Sequence, residues 1–165
     1  QAGATPAIAD TALVRQRQYK EGWGLAWEQA LTDDIGAFAR IARSDGQSEV
    51  YAFAEIDQSQ SAGTLIQGKA WGRAADTLGL AVARNGLSTA HQRYLASGAD
   101  GFFVGDGALS YQHEHTLEGF YSLGLPNGWL HHSTVTLDLQ RINNPAYNHD
   151  RGPVKTMAIR LHTEI

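Results

Sequence analysis

The sequence predicts an all-β protein built as an antiparallel up-and-down meander, and three observations carry that expectation. Stretches of strand length alternate apolar and polar residues with a period of two. Turn-forming Asp, Asn, Gly and Pro fall between them. The 18 glycines in 165 residues, with a mean hydropathy of −0.32, fit a chain of many turns and half-polar strands. The closing stretch is the clearest case. Lys155, Met157, Ile159, Leu161, Thr163 and Ile165 share one face, and Val154, Thr156, Ala158, Arg160, His162 and Glu164 share the other. In a soluble β-protein the apolar face of such a strand packs into a core. In a transmembrane barrel it meets lipid, and the charged face lines a lumen. Alternation fits both.

Gln1 to Asp10 is Ala-rich and aperiodic and reads as an arm, and Thr11 to Lys20 carries only a weak strand pattern. The first firm strand places Trp23, Leu25 and Trp27 opposite Gly24, Ala26 and Glu28, and ends at Thr32-Asp33-Asp34. The second places Ile35, Ala37, Ala39 and Ile41 opposite Gly36, Phe38, Arg40 and Ala42, closed by Asp45-Gly46, a pair that hairpin turns favour. A third strand is expected over Val50–Asp57, followed by a polar loop from Gln58 to Gly63. The next runs from Ile66 to Arg73, with Gln67, Lys69, Trp71 and Arg73 on one face. Leu78, Leu80 and Val82 then alternate with Gly79, Ala81 and Ala83, and these small residues leave room on their face.

Leu87 to Gly107 breaks the period. Ser88 is placed to cap a short helix through Leu95, with Gly98 ending it, inside a long loop over 87–107. Two of the cleanest alternations follow. Leu117, Gly119, Tyr121 and Leu123 oppose Glu114, Thr116, Glu118, Phe120 and Ser122. After a turn at Pro126-Asn127-Gly128, Ser133, Val135, Leu137 and Leu139 oppose His132, Thr134, Thr136, Asp138 and Gln140. Eight or nine strands result. One face gathers charges of both signs, and a dry core would impose several kcal/mol on each unpaired one. That face must meet water, on the outside of a soluble protein or inside a pore.

The length suits a single domain over 1–165. The absence of cysteine removes disulfides, thiolate metal sites and thiol nucleophiles. A net charge of −4 lacks the clustered positive charge that nucleic acid requires. With no apolar run of transmembrane-helix length, a membrane form of this chain must cross by strands. The chain starts at Gln1, so the expectation is a processed product or part of a longer chain.

The runs GRAADTLGLAVARNGLSTAHQRYL, GFFVGDGALSY and NNPAYNHDRGPV, with a closing strand ending RLHTEI, occur in that order. In this the chain resembles the C-terminal portion of the carbohydrate-selective porin (OprB-type) family. The resemblance implies a transmembrane β-barrel of the outer membrane, or the C-terminal half of one, through which sugars diffuse without chemistry. It implies sugars as permeants and outer-membrane lipid, together with a homo-oligomer or the N-terminal remainder of the barrel, as partners. It also implies a chain much longer than 165 residues. An eight-stranded barrel is filled by its own side chains, whereas an open channel takes roughly 16 strands. The alternative is a soluble barrel or sandwich that binds a saccharide or small apolar ligand, with Leu137, Leu139, Ile159 and Leu161 in a closed core.

A sugar path needs charged and amide groups that replace water around hydroxyls, with an aromatic face for the ring. Arg40, Glu55, Lys69, Trp71, Arg73, Glu114, Glu118, Asp138 and Arg160 are the expected lumen-facing set, with salt-bridge ladders along the wall as their other use. No cofactor and no metal site is expected. His113 and His115 find no third ligand by spacing with His131 or His132, and Asp100, Asp106, Asn148 and Asp150 read as turn formers rather than calcium ligands. Glu114 and Glu118 stand roughly 13 Å apart along one strand, too far for a glycosidase pair, so no catalytic site is expected.

Overall fold

The structure, a computed structural model, describes residues 17–48, 55–101, 104–105, 109–125 and 133–163. Seven strands form a single sheet in sequence order: β1 Gly22–Ala30, β2 Ile35–Ser44, β3 Gln58–Gln67, β4 Thr77–Gly86, β5 Glu114–Gly124, β6 Thr134–Asn143 and β7 Val154–His162. Each pairs antiparallel with the next. The sheet does not close on itself, and β1 and β7 are its edges.

Sequence periodicity locates β1, β2, β4, β5, β6 and β7 with their faces as expected. The third and fourth expected strands are displaced. Gln58 to Gly63, an expected loop, begins β3, whereas Glu55 to Asp57 lies outside any strand; 49–54 is outside the described residues. The run QSQSAG has no apolar alternation, yet the neighbouring backbones enforce the strand. Its groups are paired on both sides, Gln60 opposite Ile41 and Arg84, and Ala62 opposite Ala39 and Val82. After Gln67 the chain leaves the sheet in one 3₁₀ turn, Gly68–Trp71, closed by Gly72 at φ 76°. The expected strand to Arg73 therefore stops at Gln67. Asp45-Gly46 likewise opens a long connection to β3 instead of making a two-residue hairpin.

The connections sort by length onto the two ends of the sheet. Segments 31–34, 68–76 and 125–133 join strands at one end, and the longer 45–57, 87–113 and 144–153 at the other. The expected Pro126-Asn127-Gly128 turn lies outside the described residues. The expected helix in the second loop is α1, Thr89–Ala96, where the Ser88 hydroxyl accepts from His91 N at 3.1 Å and Gly98 N donates to Leu95 O at 3.1 Å.

The buried apolar cluster among the described residues sits in these loops. Leu87, Leu95, Val104, Leu109 and Tyr147 pack together with Tyr111 and Ala146. Below them Asp57, 2% exposed, ties its own segment to the end of β2 and the start of α1: its carboxylate accepts from Ser44 Oγ at 3.3 Å and from Ser88 N at 2.8 Å, and lies 3.0 Å from His91 Nδ1. Burial works to raise the Asp57 pKa, but the His91 imidazole and the Ser88 N–H hold it below 3.8. The same contact raises His91 above 6.5 against the opposing effect of burial. Gly46 closes this knot at φ 59°, where a Cβ would meet Ser88 Oγ and the Asp57 carboxylate.

Candidate functional site

The register divides the sheet into two chemically distinct faces. One carries Trp23, Leu25, Ile41, Leu80, Val82, Leu117, Leu137, Leu139, Met157, Ile159 and Leu161. No segment of the described chain covers it: Leu139 is 52% exposed, Ile159 71% and Leu161 62%. Among the described residues the closed soluble core expected over Leu137, Leu139, Ile159 and Leu161 does not form. The apolar row Val135, Leu137 and Leu139 spans roughly 14 Å along the strand at about 3.4 Å per residue before Arg141 ends it. Aromatic rings mark its two ends. Trp71 Nε1 donates to Tyr121 Oη at 3.1 Å near the short turns, and Trp23 stands near the long loops.

The other face is polar and charged. Arg40 Nη2 pairs with Glu28 Oε1 at 2.5 Å, and its guanidinium lies 5.3 Å from the Phe38 ring centre. Gln140 Nε2 donates to Glu118 Oε2 at 2.8 Å, and Thr136 to Ser122 Oγ at 3.0 Å. Glu114, at the loop end, accepts from Ala146 N at 3.0 Å and from Asn85 Nδ2 at 3.4 Å, so it also anchors the 144–153 loop. Asp138 and Arg160 share this face with no ion-pair partner among the described residues.

Two aromatics on this face, Phe38 and Phe120, were not among the residues singled out from sequence. Each ring lies against a strand glycine. A Cβ on Gly63 would sit 2.5 Å from Phe38 Cε1, and one on Gly79 would overlap the Phe120 ring. Phe120 is directly opposite Asp138 in the β5–β6 register. A cavity of about 560 Å³ opens beside Phe38, Arg40 and Glu28. The readable signal was an aromatic within an otherwise polar row, facing a glycine on the next strand.

Four expected lumen residues are not on strands. Glu55 precedes β3 and is buried under the loop cluster at 4% exposure, with its carbonyl accepting from Tyr147 Oη at 2.7 Å. Lys69 lies in the 3₁₀ turn and pairs with Asp34 at 2.6 Å, bridging two short turns. Trp71 leans onto Tyr121, a residue of the apolar face. Arg73 pairs with the fully buried Asp76, whose carboxylate also accepts from Tyr121 Oη and from Gly124 N at 3.0 Å. With Arg73 the largest influence, outweighing burial, Asp76 is held at about 2. Lys69, Trp71 and Arg73 left the face because β3 ends at Gln67, and Glu55 because the sheet begins its third strand only at Gln58. Arg40, Glu114, Glu118, Asp138 and Arg160 do share the charged face.

No group of three or more metal-ligating side chains occurs among the described residues. The Asn148 side chain instead accepts from Asp150 N at 2.9 Å, a local turn. His131, His132 and Asp106 lie outside the described residues.

An antiparallel meander with a lipid-like outer face, a charged inner face, aromatic rims, and short turns opposite long loops defines the wall of an outer-membrane β-barrel channel. The chain belongs to the carbohydrate-selective porin, OprB family, whose model matches residues 1–165. It lies in the Gram-negative outer membrane, and fold and family are those of a transport channel rather than an enzyme. In structure it is similar to OprB of Pseudomonas putida at high pH, with a TM-score of 0.60 and 21% sequence identity over 85% of this chain. The chain spans 33% of that protein's length, and the likeness is one of fold. No curated protein matches.

Proposed function

We propose that these seven strands form part of the wall of a channel through which carbohydrates diffuse down their gradient, with the charged face toward the lumen. The observation that carries this reading is the uncovered apolar face opposite a hydrogen-bonded polar one: with the apolar face in lipid, the charges of the other face reach water only if the sheet encloses a pore. Within the lumen Arg40, Glu28, Glu118, Glu114 and Gln140 are wall ladders that keep the face rigid. Phe120, Asp138 and Arg160 are the contacts offered to a passing sugar, the ring for the apolar side of a pyranose and the two charges for its hydroxyls. Phe38 with the Arg40–Glu28 pair offers a second such contact. The outer edges of β1 and β7 carry no strand within the described residues, so further strands, from the same polypeptide or another chain, complete the wall.

Proteoliposomes containing the intact porin test this by the rate of swelling in sugar solutions. Phe120→Ala with Asp138→Asn is expected to lower flux of a sugar held well below saturation about five-fold, the factor for roughly 1 kcal/mol of lost contact, with little effect on a small salt. Equal flux of sugar in the variant and the wild type removes this pair from the path. A wild type that passes no sugar refutes the channel.

A further inference from the structure

On four strands the apolar row ends in a cation at the long-loop end. Ile41 is followed by Arg43 on β2, Val82 by Arg84 on β4 and Leu139 by Arg141 on β6, and Lys155 precedes Met157 on β7. All four are exposed, and no carboxylate pairs with any of them among the described residues. At the opposite end the same rows finish in Ile35, Leu78, Val135 and Leu161, without charge.

Arg141 and Lys155 stand directly opposite each other on β6 and β7. Like charges in that position repel, so an anion between them would convert a cost into a gain. Beneath them a groove of about 550 Å³ runs along the apolar face, walled by Leu80, Leu117, Leu137 and Leu139. Its floor is Gly119, where the missing side chain leaves the depression. An apolar groove capped by two cations fits a lipid rather than a free ion.

We propose that Arg141 and Lys155, with this groove, bind a phosphate-bearing acylated lipid of the outer leaflet, an acyl chain along Leu137 and Leu139 and the phosphate between the two cations. The site rests on the outer-membrane reading above, with the long loops toward the cell exterior, as in barrels with short periplasmic turns. Bulk lipid would wet the whole apolar face equally. The paired cations occur at one place and at one depth. Arg43 and Arg84 extend the same positive rim along the sheet, with Arg84 Nη2 within 3.3 Å of both His113 ring nitrogens.

The test is native mass spectrometry of the intact porin in detergent, offered bis-phosphorylated lipid A, the same lipid dephosphorylated, or inorganic phosphate. Wild type is expected to retain the bis-phosphorylated lipid in preference to the dephosphorylated one. Arg141→Gln with Lys155→Gln is expected to retain it about thirty-fold less, at roughly five-fold per cation near an anionic surface. Gly119→Leu, which fills the groove floor, is expected to weaken the lipid and leave inorganic phosphate unaffected. Equal retention of both lipids by wild type, or undiminished retention by the double variant, overturns the site. Complete displacement of the lipid by inorganic phosphate also overturns it, leaving a simple anion site. A Gln47→Cys porin, otherwise without cysteine, reports sidedness through an impermeant thiol reagent on intact cells. Labelling supports the outer-leaflet assignment, and labelling only after the membrane is opened overturns it. Sugar flux is read separately: lost lipid selectivity with flux intact removes this site alone, and absent flux with lipid retained removes the channel alone.

Discussion

The His91–Asp57 contact is a pair whose charges are both needed, and its energetic sign follows from the two shifts. His91 is raised above 6.5, so its contribution is present below that value and is lost as pH climbs through the folded pKa. Asp57 is lowered below 3.8, so its contribution holds above 3.8 and is lost as pH falls through its folded pKa. The knot is therefore tightest from about pH 4 to 6.5. The protection of the α1 amides in the intact porin, taken relative to their intrinsic exchange rate at each pH, is expected to fall from pH 6 to pH 8.5, and His91→Gln to remove most of that fall. Gly46→Ala should loosen the same knot at every pH, by about 1–3 kcal/mol, since both a positive φ and the Asp57 carboxylate oppose a side chain there. Protease sensitivity of the loop on intact cells reads this out. Ser88 is legible in the sequence as a helix cap, but its contact with Asp57 is not. Asp57 was placed at the end of an expected strand, and only the fold brings it within reach of a helix capped 31 residues later.

A strand becomes readable when its two faces meet different solvents. β5, β6 and β7 showed that contrast in unbroken alternation, and their faces were assigned correctly from residue order. β3 did not, because Gln58, Gln60 and Ala62 occupy the outer positions where Leu or Ile would have announced a strand. Its position is dictated by β2 and β4, which are not adjacent signals in sequence. Lys69, Trp71 and Arg73 are misplaced by its early end, and Glu55 by the expected strand before it. The same two-solvent logic predicts how substitutions partition. Leu137→Arg, at the middle of the β6 apolar row, is expected to cost about 2–4 kcal/mol, and Thr136→Arg, one residue before and facing the lumen, much less. Urea unfolding of the intact porin in lipid vesicles measures both, and similar costs for the two would invert the assignment of the faces.

In the molecule as a whole the usual relation of core to surface is reversed. Apolar side chains cover the outside of the sheet, and the buried cluster lies off it, among the loops at one end. Composition could not foresee this, since a mean hydropathy of −0.32 serves a soluble sandwich equally well. The ordered motifs did foresee the family, and the uncovered face then fixes the solvent. Shortening the 87–113 loop should therefore leave the barrel's resistance to heat nearly unchanged while altering access to its mouth. Electrophoretic heat modifiability of the intact porin would show the first, and flux the second.

The strands also have a direction. β1 descends from the loop end to the turn end, and β7 descends the same way, because six reversals, an even number, separate the two. A closed bacterial barrel has an even number of antiparallel strands. The strands that complete this one must therefore be odd in number, and the strand that meets the free edge of β1 and the one that meets β7 both ascend.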